Sequence, residues 1–330
     1  MAREPNSGAT PALVPVANRP LLCHALDWLA EGGVSDVAIM ASDRIAESAW
    51  EAVGDGSEWG FKTRWLYQVP GETFGESLAG LARFAGDGPV VLHEADSLIA
   101  NRFSVVFGDS SVDAEGALML TDAAEAPVAS VVDIRDRHRT DGHRPAGAAM
   151  IGGGVLEGVA KLAARPGAEL TALANHLTAT GSRVDFRQVA RWWRYDGAPG
   201  AVLAGNRFAL ERLESGPVRV DTRNCVIEGT VSIDPSAEIV SSTIRGPVVI
   251  GPGARLVSAY VGPFTSIGAN AVIEGAEVEN SVILPGASIA YLDTRLEGSV
   301  IGVGSRVFRD FRLPRAMRLN IGGGAEVAIT

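Results

Sequence analysis

Up to about residue 214 the apolar positions fall in short runs separated by amphipathic stretches. The runs VSDVAIMAS (34–42), FKTRWLYQ (61–68), PVVLHEAD (89–96), GALMLTD (116–122), PVASVVDI (127–134) and SRVDFRQV (182–189) predict strands. Between several of them, PLLCHALDWLAEGG (20–33), FGESLAGLARFAG (74–86), AELTALANHLTATG (168–181) and PGAVLAGNRFALERL (199–213) predict helices. In the first helix Leu22, Ala25, Leu26 and Leu29 recur at helical spacing, and Gly32–Gly33 stop it. Alternating strands and helices predict a mainly parallel, covered sheet that binds its ligands at the carboxyl ends of the strands.

From residue 217 the pattern changes. Single aliphatic residues recur about every six positions among Gly, Pro, Ser and Ala, with a stronger period of 17. Ile227, Ile244, Val261 and Val278 form one such column, Ile233, Ile250 and Ile267 a second, and Ile239, Leu256 and Ile273 a third. Three columns in phase predict a three-sided coil with one inward aliphatic per face, a left-handed parallel β-helix of hexapeptide type. Gly251, Gly262 and Gly268 are placed to serve its tight corners. After 284 the coil blurs: LDTRL (292–296) interrupts it and IGVGSRV (301–307) resumes it. The predicted organisation is an α/β domain over 1–214 and a β-helix domain over 215–330.

Composition narrows the partners. The chain has 330 residues, enough for two cores, and a formal charge of −10 from 39 acidic and 29 basic side chains. That balance argues against nucleic acid, whose phosphates call for a basic surface. No apolar run reaches the ~20 residues that span a bilayer, and no basic-then-apolar leader opens the sequence, so a cytoplasmic protein is expected. Cys23 and Cys225 are the two cysteines, too few for a cysteine-rich zinc site. A free pair in a reducing compartment is expected, with one disulfide as the alternative.

The segments LVPVANRPLLCHALDWLAEGGVSDVAI (13–39), RWW..DG.P..VLAGNRFAL (191–210), STIRGPVVIG (242–251), YVGPFTSIG (260–268) and FRLPRAMRL (311–319) resemble long-form glucose-1-phosphate thymidylyltransferases and related sugar-1-phosphate nucleotidyltransferases. The resemblance runs from about residue 11 to the end, in the family's order. It implies a Rossmann-like nucleotidyltransferase domain followed by the β-helix. It also implies a reaction in which a sugar 1-phosphate attacks the α-phosphorus of a nucleoside triphosphate, with release of pyrophosphate. The β-helix half would then serve oligomerisation and stability, giving a homo-oligomer. An acyltransferase of hexapeptide type fits poorly, because His24, His93, His138, His143 and His176 all precede residue 217.

The family's phosphate-handling motifs are altered. A GGxGTR loop, whose backbone N–H groups would cradle phosphate, is not found before LVPV; a start assigned downstream of the true one would account for that alone. Pro11 stands where the PK(A/P)LVPV segment has its lysine. The metal-holding Asp of a GD pair matches Asp96, with Ala95 for the glycine, and makes Mg2+ the implied metal. The second Asp, in WxDTG, matches Tyr195, followed by Asp196. The EKP lysine is replaced by RDRHRTDGHRPAG (135–147), and the nucleobase segment is stretched to QVPGETFGE (68–76). Losing one transition-state hydrogen-bond donor costs about 10²–10³ in rate, so these changes together predict that ordinary transfer is lost or strongly altered.

The candidate catalytic residues are therefore Asp96, His93, Glu94, Tyr195 and Asp196, with Asp96 the candidate metal ligand. Asp96 is either a metal ligand or a cap of the following helix. Strand alternation sends His93 and Glu94 to opposite faces, so at most one of them meets Asp96. His93 is either a general base or a buried structural histidine. Candidate substrate contacts are Gln68, Glu72 and Gly75 in the stretched loop, Trp193, and Arg137, His138 and Arg144, whose run reads either as an anion grip or as a solvated loop. Glu72 and Glu76 would oppose a polyphosphate if they faced the cleft. The expected ligand is a small molecule: a nucleotide, a sugar phosphate or a related metabolite. Three functional readings stay open: a divergent active transferase, a scaffold recruited to different chemistry, and a non-catalytic binding partner.

Overall fold

A computed structural model describes residues 10–69, 71–86, 88–108, 110, 112–122, 145–164, 168–198, 200–214 and 222–312. The predicted strand 127–134 and the candidates Arg137, His138 and Arg144 lie outside those residues, as does the FRLPRAMRL segment beyond 312. The chain divides into two compact units, one spanning Leu21–Arg194 and the other joining residues up to Pro20 to those from Tyr195 onward.

The first unit alternates helices and strands. Helix α1 (Leu21–Glu31) buries Leu22, Ala25, Leu26 and Leu29 along one face, together with Trp28. Strands β1 (Asp36–Ser42) and β2 (Lys62–Gln68) pair in parallel, with α2 (Asp43–Val53) between them and α3 (Phe74–Ala85) after them. Strand β3 (Val90–His93) leads through a turn into the short β4 (Ser97–Ile99) and α4 (Phe103–Phe107). Next come β5 (Ala117–Asp122), β6 (Pro145–Ile151), α5 (Gly153–Gly158), α6 (Glu169–Thr180), β7 (Val184–Val189) and β8 (Trp192–Arg194).

Four of these strands form a sheet in the order β3-β6-β5-β7. Strand β6 runs antiparallel to both neighbours, while β5 and β7 are parallel. Residues 145–147, read from sequence as the end of a basic loop, are the start of β6. All seven residues of PAGAAMI are buried. Their run of Ala and Gly lacks the β-branched signature of a strand, yet small side chains suit a strand covered on both faces. Met119, Ile151, Leu156 and Leu173 are fully buried in the core beneath the sheet. Each such side chain contributes about 1.5–3 kcal/mol through apolar burial.

The second unit is a left-handed parallel β-helix whose strands lie in three parallel sheets. The columns seen in the sequence are its interior. Ile239, Leu256 and Ile273 stack in register on one face, Ile244, Val261 and Val278 on another, and Ile250 and Ile267 on the third. The 17-residue period holds until Ser266 pairs with Val282 and Val272 with Ser288, one residue short. The next coil is one residue long, with Val278 beside Leu296, and LDTRL carries the excess.

Gly251 and Gly268 open corner turns closed by the Ala254 and Ala271 amides, without positive φ, which a column of Asn224, Ser241, Ser258 and Gly275 adopts among other corner residues. Gly268 is needed for close approach, since a Cβ there would lie 2.7 Å from the Pro285 nitrogen of the next coil.

A two-residue hairpin, Pro15–Val16 against Arg19–Pro20, turns through Ala17 and Asn18 at positive φ. Asn18 donates through Nδ2 to the Ile267 carbonyl at 2.6 Å. Asn206, on α7 (Ala201–Leu210), is 1% exposed and satisfies three groups at once. Its Oδ1 accepts from the Ala17 amide at 2.9 Å and from the Ser266 hydroxyl at 2.5 Å, and its Nδ2 donates to the Phe264 carbonyl at 2.9 Å. The VPVANRP segment and α7 are thereby fastened to the coil.

Candidate functional site

Among the described residues of the first unit, a cluster of partly buried charges lies at the carboxyl end of β3. The chain leaves the strand at His93 and turns through Glu94–Ser97. The Ser97 amide donates to the Glu94 carbonyl at 3.0 Å, and the Glu94 amide to the Gly147 carbonyl at 2.8 Å. Gly147, at φ +71°, allows this approach: a Cβ there would lie 2.3 Å from the Ser97 hydroxyl. Strand β8 pairs antiparallel with β4, setting Arg194 opposite Ser97.

From that position Arg194 contacts two carboxylates and approaches a third. Its Nη1 lies 3.1 Å from Glu94 Oε2, its Nε 3.2 Å from Asp96 Oδ2, and its Nη2 3.9 Å from Glu169 Oε2 on the first residue of α6. The Arg194, Glu94 and Asp96 side chains keep only 21%, 13% and 16% of their exposure. Burial raises Glu94 to about 7; Arg194 opposes the rise, and Asp96 and Glu169 add to it. Burial likewise raises Asp96, against the pull of Arg194. Burial alone would lower Arg194, but Glu94 and Asp96 outweigh it and hold the guanidinium above its ordinary value. The site is thus a cluster of partly buried carboxylates around a permanent cation. It can accept hydrogen bonds from a ligand, and it can exchange a proton at Glu94 near neutrality.

His93 and Glu94 part company, in keeping with strand alternation. The His93 ring sits edge-on to Trp28 at 5.2 Å, in an aromatic cluster with Phe103 and Phe107. Its Nδ1 is 2.9 Å from the Glu94 carbonyl, and burial lowers it to about 4, leaving it neutral at physiological pH. Asp96 is engaged by Arg194 and does not cap α4, whose N-cap is Arg102.

Over 96% of its length the chain is 31% identical to a glucose-1-phosphate thymidylyltransferase of Streptomyces griseus, spanning 93% of that protein. The chain belongs to the glucose-1-phosphate thymidylyltransferase family of sugar nucleotidyltransferases. A glucose-1-phosphate thymidylyltransferase of Streptomyces antibioticus is 28% identical, and a low-salt glycan biosynthesis nucleotidyltransferase of Haloferax volcanii 30% identical, each over 96% of this chain and 93% of the relative. No family profile matches. The fold is shared with a Bacillus anthracis structure described as a glucose-1-phosphate thymidylyltransferase in complex with sucrose. That structure has a TM-score of 0.50 and 18% identity, over 63% of this chain and 89% of the other.

Within this family the stretched nucleobase segment has local structural duties here. Gln68, ending β2, donates to the Ser77 hydroxyl at 3.2 Å. Glu72 accepts the Val69 amide at 2.9 Å, and Glu76 completes a capping box with Thr73 at the start of α3. Both carboxylates are therefore spent on turn and cap. Gly75 is a packing glycine: a Cβ would lie 2.0 Å from the Val159 carbonyl oxygen. Trp193 is half-buried on β8 opposite Leu98. Tyr195 and Asp196 belong to the second unit; Asp196 is exposed and accepts the Ala198 amide at 2.9 Å.

The Mg2+ implied by the family does not fit these residues. Asp96 Oδ2 is taken by Arg194, and Tyr195 stands at the second Asp position. Among the described residues no three His, Cys, Asp or Glu side chains converge to hold a metal ion. The carboxylates of Glu94, Asp96 and Glu169 surround a guanidinium rather than a point. Arg194 and Glu169 were absent from the sequence-based candidates, because the partners are 98 and 25 residues away and no motif links them. Among the described residues no helix is long and apolar enough to cross a membrane. Cys23 and Cys225 are both free thiols.

Proposed function

We propose that this family member has lost or strongly altered the metal-dependent transfer of a nucleotidyl group. Its cleft acts instead on a small sugar-derived metabolite, with Glu94, Asp96 and Arg194 as the working groups. The observation that carries this reading is the contact between Arg194 and Asp96, which uses the carboxylate that the family resemblance assigns to the metal. Pro11 at the lysine position and Tyr195 at the second Asp position support it. So does the excess of acid in the cluster, which repels a triphosphate. Glu94, raised to about 7, is suited to move a proton on a hydroxyl-bearing ligand.

The test is a panel of nucleoside triphosphates and sugar 1-phosphates with Mg2+, read by pyrophosphate release. No release is expected with any pair. Turnover at an ordinary enzymatic rate with any pair overturns the reading. A parallel thermal-shift screen of nucleotides, nucleotide sugars, sugar phosphates and free sugars identifies the ligand class by its stabilisation of the native state.

A further inference from the structure

We infer that Arg194 is the resident cation of this cluster, an intrachain guanidinium that takes the place of a divalent metal, so that the site assembles without one. The inference rests on how the charges are shared. Glu94 and Asp96 follow one strand, Glu169 opens a helix, and Arg194 ends another strand, so three separate stretches of chain converge on one group. Nε and Nη1 each contact a different carboxylate, and Nη2 points from 3.9 Å toward a third, Glu169, whose buried Oε2 has no hydrogen-bond partner among the described residues. A planar guanidinium engages separate carboxylates through donors fixed in a rigid fork, whereas an ammonium is a compact charge with three rotatable donors. A divalent ion would need its oxygen ligands within about 2.0–2.6 Å of a single point. The described carboxylates are arranged for a larger, flat cation and do not converge in that way.

The charge is also permanent. A metal can leave its site, whereas Arg194 is covalently part of the chain and its charge persists at every physiological pH. With Arg194, Glu94 and Asp96 mostly withdrawn from solvent, moving the guanidinium out would leave two acids facing each other in a poorly solvated pocket. The cluster is therefore held in its folded geometry with or without a metal.

Two measurements on the full chain test this. The first follows Mn2+ binding by electron paramagnetic resonance in the wild type and in Asp96→Asn. The same weak, superimposable titrations are expected. A saturable Mn2+ site in the wild type that Asp96→Asn abolishes overturns the inference, and this measurement does not depend on any Arg194 variant folding. The second compares melting temperatures of wild type and Arg194→Ala with methylguanidinium or tetramethylammonium as the probe. Methylguanidinium is expected to raise the Tm of Arg194→Ala, at about one tenth of the tetramethylammonium concentration giving any comparable rise, and to leave the wild type unstabilised. Equal responses to the two cations, or none, show that the fork was not supplying the charge and overturn the inference. The inference shares its cluster with the proposed function but fails separately. Pyrophosphate release from the substrate panel removes that reading, whereas a Mn2+ site at Asp96 removes this one.

Discussion

Arg194 donates through Nε to Asp96 Oδ2 at 3.2 Å, joining two residues 98 positions apart in the chain. Replacing Arg194 with Leu keeps the bulk and removes the charge, leaving Glu94, Asp96 and Glu169 facing one another. Breaking a buried ion pair in this way costs about 3 kcal/mol. A lower urea midpoint with an unchanged slope is expected; an unchanged midpoint would show the cluster to be energetically idle.

The pH dependence of stability follows from two neighbours shifted in opposite directions. Glu94 moves from 4.5 up to about 7, so between these values the native state holds more protons than the unfolded chain. Its contribution is complete below 4.5 and is lost as pH rises through about 7. His93 moves from 6.5 down to about 4, so its contribution is complete above 6.5 and is lost as pH falls through about 4. The two oppose each other between 4.5 and 6.5. Asp96, also raised, acts with the sign of Glu94. Glu94→Gln leaves the His93 effect less opposed, and its stability is expected to rise more steeply from pH 4.5 to 6.5 than that of the wild type. Parallel profiles in urea titrations at stepped pH would mean that Glu94 titrates normally.

Gly75→Ala is a packing test. The new methyl would meet the Val159 carbonyl oxygen at 2.0 Å and the Leu162 amide nitrogen at 2.6 Å, both backbone atoms. Neither can rotate away, so α3 must shift off the turn after α5, at a cost of about 1–3 kcal/mol. Calorimetry that shows no loss of stability would mean that the helix moves freely there.

Much of this architecture was legible because it repeats or alternates. The coil columns at Ile239, Leu256 and Ile273 were readable since burial every 17 residues imposes aliphatics every 17 residues. The apolar stripe of α1 was readable for the same reason at a shorter period. Strand β6 was hidden because PAGAAMI packs by smallness, which carries no periodic mark. In the candidate site, Asp96 was singled out by motif position and Glu94 as its unusual neighbour. The turn and cap bonds of Glu72 and Glu76 were not read from sequence because such bonds depend on local geometry. Arg194 escaped because an ion pair across 98 residues leaves no local trace, and at its position the family motif is silent.

Within the coil, Ile267→Ala removes a side chain with no exposure from the middle of the stack. A loss of about 2–5 kcal/mol is expected. Val303→Ala, at a position 72% exposed near the final coil, is the matched control and should change stability little. Equal effects in chemical denaturation would contradict the inward assignment of the column.

Asn206→Leu keeps the number and branching of side-chain heavy atoms and has none of the hydrogen bonds. It strands the Ala17 amide, the Phe264 carbonyl and the Ser266 hydroxyl. Each stranded buried group costs about 1–3 kcal/mol, so this variant should be among the least stable single substitutions of the second unit. Hydrogen exchange should show faster opening of the Ala17 amide. A protected Ala17 amide in the variant would show that another group holds the hairpin.

The bond from Ala17 to Asn206 spans 189 positions of sequence. In polymer terms nearly the whole α/β unit is a loop whose two ends are clipped to one platform by the side chains of Asn18 and Asn206. Closure entropy grows only with the logarithm of loop length, by about 0.6 kcal/mol for each doubling. Segments can lengthen, shorten or change character inside that loop without the platform losing its grip on the ends. A chain built this way can rework its chemistry extensively while the part that holds it together stays untouched.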